Sequence, residues 1–309
     1  MSHHPSRLLA GLATAALTLG LAACGTSSAD DAKGSMPSKP PAGDLEAVPA
    51  IAKLVPEKYR SGIDNGQYND LPPQEFLQDG ELVGIQPEIV RALSQVLGVP
   101  IENQSIGTWD SLIPGLLGGR FQISSSDFGV TAERLEQVDF VTEFSLGTAF
   151  AVKKGSDIEV KEEADLCGHS VGVLAGSYFV DQVKKVSEEC TAAGNEPVEV
   201  MTYPTASAQI LAEMNGRTEI TAEGQDTLGY TVSSQKLPLE IQELVLDSVP
   251  QGIIVDKRTG LGPALEAAMK EIVRNGTYAK ILERWNVADL AATEDEIELL
   301  TDPAQAPAG

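Results

Sequence analysis

The hydrophobic residues of this chain recur with helical spacing in several segments. After Pro87, apolar residues repeat every three or four positions as far as Leu97, and Gly98 follows directly. One apolar face with a glycine just past its end is typical of a helix that packs against a core. The pattern predicts a helix over 87–97, and similar patterns predict helices at 109–117, 178–186, 205–215, 265–273 and 278–285.

Short apolar runs between these helices indicate β-strands. They predict strands near 99–103, 121–125, 170–174, 198–203, 219–222 and 252–255. Strands that alternate with helices favour an α/β fold with a largely parallel sheet covered on both faces. Because the pattern begins again near residue 170, we expect two similar α/β lobes joined by thin connections. Ligands should then bind between the lobes, at the carboxyl ends of the strands.

The charge and the histidine content narrow the function. The 309 residues include 22 Lys and Arg against 45 Asp and Glu, so the formal net charge is −23, which would repel nucleic acid and anionic membrane surfaces. Only His169 lies outside the extreme N-terminus. Residues 168–172 fit the G-x-S-x-G pattern of α/β-hydrolases, but no His follows the serine to act as its base. We therefore expect no catalytic residue, no cofactor, no metal and no nucleic-acid partner.

The N-terminus has the pattern of an export signal. Residues 8–23 are small and apolar and follow Arg7, which is typical of a secretory signal peptide and too short for a good membrane span. Leu-Ala-Ala-Cys-Gly at 21–25 resembles a bacterial lipobox, in which Cys24 would be acylated. We predict a lipoprotein signal peptide at 1–23, a flexible tether at 24–49 and a lipid anchor at the extracytoplasmic face. The alternative is an ordinary signal peptide with an incidental cysteine.

The C-terminal segment and the remaining cysteines each allow a structural prediction. Residues 289–309 contain six acids and no base, which predicts a solvated acidic tail. Once Cys24 is acylated, Cys167 and Cys190 are the cysteines that remain. Outside the cytoplasm a disulfide between them is expected, with two separately buried thiols as the alternative.

Four stretches of the chain carry a family resemblance. They are LPPQEF and DGELVG at 71–76 and 79–84, WDSLIP at 109–114 with GRF at 119–121, TAER at 131–134 with VDF at 138–140, and a last set at 165–177 and 275–285. In order and spacing, residues 80–287 resemble the type II extracellular solute-binding proteins of family 3, the amino-acid receptors of bacterial ABC importers.

The resemblance implies a periplasmic-binding-protein-like type II fold of two α/β lobes joined by a hinge with two chain crossings. Lobe one would comprise 50–148 and 248–288, and lobe two 149–247. The lobes would close around a small-molecule ligand, an amino acid or a derivative of one, and a membrane permease would recognise the closed form. We expect the receptor to be a monomer.

The resemblance also implies a set of ligand-binding residues. Arg134 matches the arginine that grips the ligand's α-carboxylate, and a guanidinium offers a carboxylate two parallel donors. The other positions that match the family's pocket are Leu71, Trp109, Ser126, Asp127, Gly129, Leu174, Ser177, Tyr178 and Gly224.

Some of these positions depart from the family pattern. Gly224 stands where amino-acid binders usually carry the Asp that pairs with the α-ammonium, and Leu71 stands where an aromatic residue is common. Asp127 could supply the missing charge from the other lobe. Glu223 or Asp226 could reach the pocket only if the end of the strand is rearranged, because alternation would point Glu223 away. We infer a ligand that keeps a carboxylate but is not a small amino acid held in the usual way.

Three function classes remain open at this point. The first is a binding protein without turnover. The second is an enzyme on the same scaffold, because the family also includes a periplasmic dehydratase, and Asp127 could act as its acid or base. The third is a sensory lipoprotein that is not part of a transporter.

Overall fold

The structure is a computed structural model that describes residues 45–307. Its strands are β1 (Ile63–Tyr68), β2 (Asp70–Leu71), β3 (Glu75–Gln78), β4 (Glu81–Val83), β5 (Ile101–Ile106), β6 (Ile123–Gly129), β7 (Asp139–Lys153), β8 (Ser170–Leu174), β9 (Glu199–Tyr203), β10 (Ile220–Gly224), β11 (Leu239–Val255) and β12 (Leu299–Leu300). Its α-helices are α1 (Pro49–Ala52), α2 (Ile85–Leu97), α3 (Leu112–Leu117), α4 (Ala132–Gln137), α5 (Phe179–Ala192), α6 (Ala206–Met214), α7 (Gln225–Ser234), α8 (Gly262–Arg274) and α9 (Thr277–Arg284).

One large sheet organises these elements, in the order β5-β1-β6-β11-β7-β10-β8-β9. The long strands β7 and β11 pair antiparallel in its centre, and we call this pair the central ribbon. On one side of the ribbon lie β1, β5 and β6, which we call lobe one, and on the other lie β8, β9 and β10, which we call lobe two. Within each lobe the strands pair in parallel, as the alternation of strands and helices predicts. The predicted α/β fold is confirmed.

Local signals place several elements close to their predicted positions. Helix α2 buries one apolar face and ends at Gly98, whose φ of 64° is the left-handed conformation that a helix-terminating glycine adopts readily. Helix α6 begins after Thr205, whose hydroxyl accepts a hydrogen bond from the backbone N–H of Ala208 at 3.1 Å. Strand β8 coincides with the predicted strand at 170–174.

Other elements are longer than predicted or were not predicted at all. Strands β1 to β4, strand β7 and helix α7 were not anticipated, and β11 extends from Leu239 although only 252–255 was predicted. The early part of β11 is largely exposed and the late part is buried, so a single hydrophobic pattern does not run through it. The predicted lobe limits, between 148 and 149 and between 247 and 248, fall inside the two ribbon strands, and they stay a prediction.

Lobe two contains the predicted disulfide. The sulfur atoms of Cys167 and Cys190 are bonded, so the prediction of a bridge is confirmed and the alternative of two free thiols is wrong. The bridge joins the segment before β8 to helix α5. The predictions for the signal peptide, Cys24 and most of the tether lie outside the described residues. Within 45–307 no helix is both long enough and apolar enough to cross a membrane.

The predicted solvated tail is wrong for its described part, residues 289–307. Strand β12 pairs antiparallel with β7 and extends the sheet of lobe one. The hydroxyl of Thr142 in β7 donates to the carbonyl of Glu296 and accepts from the backbone N–H of Glu298, both at 2.7 Å. Ile297 is completely buried, and Leu300 belongs to the core of lobe one. The acidic side chains face outward while the apolar residues between them pack.

Shortening one buried side chain of this tail tests its packing. We expect Ile297→Ala to lower the free energy of unfolding by about 3 kcal/mol, because the removed atoms leave a cavity in a closed site. The measurement is urea unfolding followed by circular dichroism. Glu298→Ala is the matched control, since only the backbone of Glu298 contacts β7 and its loss should cost less than about 0.5 kcal/mol. Equal stability of the two variants would show that the tail does not pack.

Candidate functional site

The side chain of Arg134 lies at the junction of the two lobes. It projects from α4, whose first turn is capped by the hydroxyl of Thr131 accepting from the backbone N–H of Arg134. Its Nη1 donates to the carbonyl of Gly129 at 2.7 Å, and its Nη2 donates to the carbonyl of Gly176 in lobe two at 2.9 Å. Arg134 is the only basic side chain that is buried among the described residues. Its guanidinium therefore bridges the lobes.

Two aromatic rings lie against this guanidinium. Its central carbon lies 5.0 Å from the ring centroid of Trp109 and 5.9 Å from that of Phe128, within the range of a cation–π contact. The indole N–H of Trp109 donates to the carbonyl of Ser126 at 3.2 Å, which fixes the ring. Burial lowers the pKa of Arg134 to about 10, so the guanidinium stays charged at neutral pH.

The facing wall of lobe two comes from the turn between β8 and α5. The hydroxyl of Ser177 donates to the carbonyl of Leu174 at 2.7 Å and closes this turn. The buried ring of Tyr178 lies against Gly129 of lobe one: a Cβ atom at position 129 would be 2.5 Å from the Cδ1 atom of the ring. A side chain at position 129 would therefore collide with Tyr178 unless the ring moved.

All ten predicted pocket positions are buried at or beside the junction of the lobes, but they differ in what they do. Leu71 and Leu174 pack in the same apolar cluster as Trp109, so they contribute packing. The hydroxyl of Ser126 accepts from the backbone N–H of Tyr68 at 2.8 Å and supports the wall of lobe one. Ser126 and these two leucines thus shape the site, whereas charged side chains provide its chemistry.

Buried carboxyl groups meet at this junction. We call them the acidic cluster; its members are Glu75, Asp127, Glu143, Glu223 and Asp226. Their exposed fractions lie between 0% and 7%. Burial is the main cause that raises the pKa of each member, and the charges of three other members raise that of Asp127 further. The pKa of both Glu143 and Glu223 rises to about 8.

Hydrogen bonds satisfy the acidic cluster only in part. Gln74 of lobe one donates from Nε2 to Oδ2 of Asp226 at 2.6 Å, while Oδ1 of Asp127 is buried and has no hydrogen-bond partner. Burial raises the pKa of Glu75, and the hydroxyl of Ser126 lowers it by a smaller amount. Carboxylates buried together with so few donors favour either a proton or an incoming cation.

Sequence reasoning missed part of this cluster. Glu75 and Glu143 were not anticipated, and no local pattern distinguishes them from surface acids. The expectation that Glu223 points away from the pocket stays a prediction: its side chain is buried, and its charge adds to the rise in the pKa of Asp127 that burial causes. Every residue of β10 is buried, so alternation does not separate a pocket face from an outer face there.

Further contacts join the lobes at the edge of the site. The phenolic oxygen of Tyr68 accepts from the backbone N–H of Ala206 at 3.2 Å. The carboxylate of Asp70 accepts from the backbone N–H and from the hydroxyl of Ser207, at 3.0 and 2.6 Å. Lobe one thus binds the N-terminal end of α6, where free backbone N–H groups favour an anion.

The raised pKa values predict how the stability of the ligand-free protein depends on pH. In the unfolded chain a glutamate has a pKa of about 4.3, whereas Glu143 and Glu223 have values of about 8 in the folded protein. Between pH 5 and 8 the folded state therefore binds more protons than the unfolded state, and the free energy of unfolding should fall as pH rises. Chemical unfolding at pH 5, 6.5 and 8 measures this. Glu143→Gln should flatten the slope, and a stability that rises over this range would contradict the assignment.

Comparison with known proteins places this chain in a family. The sequence model of the bacterial extracellular solute-binding proteins, family 3, matches residues 63–288. The chain is 26% identical to the arginine-binding protein ArgT of Corynebacterium glutamicum, over 79% of this chain and 81% of that protein. It is also 26% identical to the L-cystine-binding protein TcyJ of Escherichia coli, over 80% of this chain and 96% of that one.

Solved structures agree with the sequence relatives. An ancestral arginine-binding protein bound to arginine superimposes with a TM-score of 0.65 and 30% identity, covering 73% of this chain and 98% of that chain. The predicted type II fold and the predicted class, a solute-binding protein of an amino-acid ABC importer and not an enzyme, are confirmed. The chain belongs to family 3 of the bacterial extracellular solute-binding proteins.

Proposed function

We propose that this protein captures a cationic amino acid and delivers it to the permease of an ABC importer. The observation that carries the proposal is the acidic cluster beside the buried guanidinium of Arg134. An amino acid with a positive side chain has one negative and two positive groups. The negative group would lie at Arg134 and the positive groups among the carboxylates, so the charges of ligand and site complement each other.

The energetics of burial support a cationic ligand. Like charges placed close together in a buried site disfavour ionisation, and an opposite charge restores it. Asp127 shows both effects, because neighbouring carboxylates raise its pKa and Arg134 lowers it. A positively charged ligand would therefore bind most tightly when the cluster is ionised.

The spacing of the carboxyl groups favours an extended cation over a metal ion. In the part of the chain that the structure describes, no three side chains of His, Cys, Asp or Glu come close enough to hold a metal. Two grooves also reach the acidic cluster. One, of about 540 Å³, is lined by Asp70, Ile210 and Glu223, and the other, of about 390 Å³, is lined by Asp226 and Tyr230.

Arg134 can still receive a carboxylate in this arrangement. A guanidinium has five N–H donors, and the two bonds to the carbonyls of Gly129 and Gly176 use one donor each of Nη1 and Nη2. The remaining donors are available to the ligand. A carboxylate bound there would contact a residue that already joins both lobes, which links binding to closure.

The relatives support the same ligand class. ArgT and the ancestral protein are named for arginine, and TcyJ is named for L-cystine. Cystine carries two ammonium groups but also two carboxylates, and a single buried arginine suits only one of the latter. The acidic cluster therefore favours a dibasic amino acid over cystine.

Isothermal titration with the twenty amino acids, ornithine and cystine tests the proposed ligand class. We expect L-arginine or L-lysine to bind in the micromolar range or tighter, and neutral amino acids at least about 100-fold more weakly, because they leave carboxylates unpaired. Tight binding of a neutral amino acid or of cystine, with no binding of the basic ones, would contradict the proposal.

A substitution at Arg134 serves as the control for the carboxylate end of the ligand. Wild type should prefer L-arginine over agmatine, which lacks the carboxylate, and Arg134→Gln should lose this preference. Glu133→Gln, at an exposed neighbouring position of α4, should keep it. Circular dichroism would show that both variants are folded.

We also propose that the mature protein is a monomer anchored by lipid at Cys24. The lipobox at 21–25 and the polar, periodicity-free segment that follows it support the anchor. Acyl chains attached to one cysteine hold a protein stably when two or more are present.

Replacing Cys24 by Ala tests the anchor. We expect the wild-type protein to sediment with the membranes and the variant to appear in the soluble extracytoplasmic fraction, because the acylation site is lost. Fractionation with antibody detection, together with the mass of the mature N-terminal peptide, gives the result. An unmodified Cys24 in the wild-type peptide would refute the proposal.

A further inference from the structure

The side chain of Asp226 occupies the space that Gly224 leaves open. Gly224 ends β10, and Asp226 lies in the first turn of α7. A Cβ atom built at position 224 would be 2.9 Å from Oδ1 of Asp226, which is closer than such atoms approach in proteins. A carboxylate from two residues further along the chain has therefore entered the place where a side chain at position 224 would begin.

One oxygen of this carboxylate is anchored and the other is not. Oδ2 accepts from Nε2 of Gln74 in lobe one at 2.6 Å, which fixes the orientation of the group. Oδ1 is buried and completes no hydrogen bond. Burial raises the pKa of Asp226, and the hydrogen bond from Gln74 is the largest of the effects that oppose this rise. Oδ1 is thus a buried acceptor beside Gly224 that has no donor.

Lobe one contributes a second buried carboxylate oxygen that has no hydrogen-bond partner. Asp127 has a φ of 53°, in the left-handed region that few non-glycine residues adopt, and its Oδ1 also has no hydrogen-bond partner. Asp127 interacts electrostatically with both Asp226 and Arg134. In an α-amino acid the carboxylate and the ammonium are attached to the same carbon, so a carboxylate held at Arg134 brings the ammonium toward these two acids.

We propose that Asp226 is the lobe-two acceptor of the ligand's α-ammonium, and that it fulfils from helix α7 a role that a side chain at position 224 could have filled. The proposal rests on the proposed function, namely that the ligand is a cationic amino acid. Because Gln74 of lobe one holds the same carboxylate, an ammonium bound at Asp226 also strengthens a contact between the lobes.

A pair of ligands isolates the ammonium contact. L-arginine and 5-guanidinopentanoic acid differ in the α-amino group, which only the former carries. Wild type should prefer L-arginine by about 30-fold, the size expected for a buried charged hydrogen bond. Asp226→Asn should reduce this preference to about threefold or less, because the neutral amide has the same shape but no charge. Glu213→Gln, which removes a different buried carboxylate, should keep the full preference.

Transferring the carboxylate from position 226 to position 224 tests whether the preference for L-arginine can be restored. The double variant Gly224→Asp with Asp226→Gly removes the clash with Oδ1 and restores one carboxylate near the same place, so it should recover most of the preference. Its matched control, Gly224→Ala with Asp226→Gly, should not. Thermal unfolding shows which variants are folded.

The outcomes separate this inference from the proposed function. If wild type binds no cationic amino acid, the proposed function itself is wrong. If wild type binds L-arginine with the expected preference and Asp226→Asn keeps that preference, the function stands and the assignment of Asp226 is overturned. A preference that disappears in Asp226→Asn and returns in the Gly224→Asp double variant supports the assignment.

Discussion

Negative charge buried between two lobes is the constraint on which this structure depends. The acidic cluster draws its members from both lobes and from the central ribbon, so bringing the lobes together also brings like charges together. That approach is unfavourable in a medium of low polarity unless protons or a cation offset it. A positive ligand therefore contributes to closure directly, since its charge removes the repulsion that otherwise opposes contact between the lobes.

The fold meets this constraint by placing each charged group on an element that belongs to a rigid unit. Arg134 and Asp127 lie next to the ribbon in lobe one, while Asp226 begins a helix of lobe two. Two hydrogen bonds fix the charged groups of one lobe relative to those of the other. Arg134 donates to the carbonyl of Gly176, and Gln74 donates to Asp226. Under the proposed function, closure would bring together groups that these contacts already hold in place, which would reduce the entropy lost on binding.

Local signals in the sequence were sufficient for much of the fold, whereas Arg134 was indicated by the family resemblance and its role in binding stays a prediction. Helix α2 was predictable because its apolar spacing and the following Gly98 lie within a few residues of each other. The two strands of the central ribbon were not predictable in full, because their residues do not follow one pattern of burial along their length. Glu75 and Glu143 were missed because burial of an acid depends on distant elements, whereas Asp226 was considered only for a rearranged strand end. The resemblance to a family indicated that Gly224 departs from the pattern, but only the backbone geometry shows which carboxylate stands nearby.

The packing of the C-terminal segment restrains one end of the central ribbon. Strand β12 and the paired hydrogen bonds at Thr142 fix the lobe-one end of β7 along its outer edge. On the opposite strand, the pairing with β7 shifts register between Leu246 and Val249 and again between Gln251 and Gly252. If the lobes close around a ligand, we expect the ribbon to bend beyond Thr142, close to these irregularities, because the pairing with β12 restrains β7 before that point. The last residues of the chain would then restrict how much of the ribbon can bend.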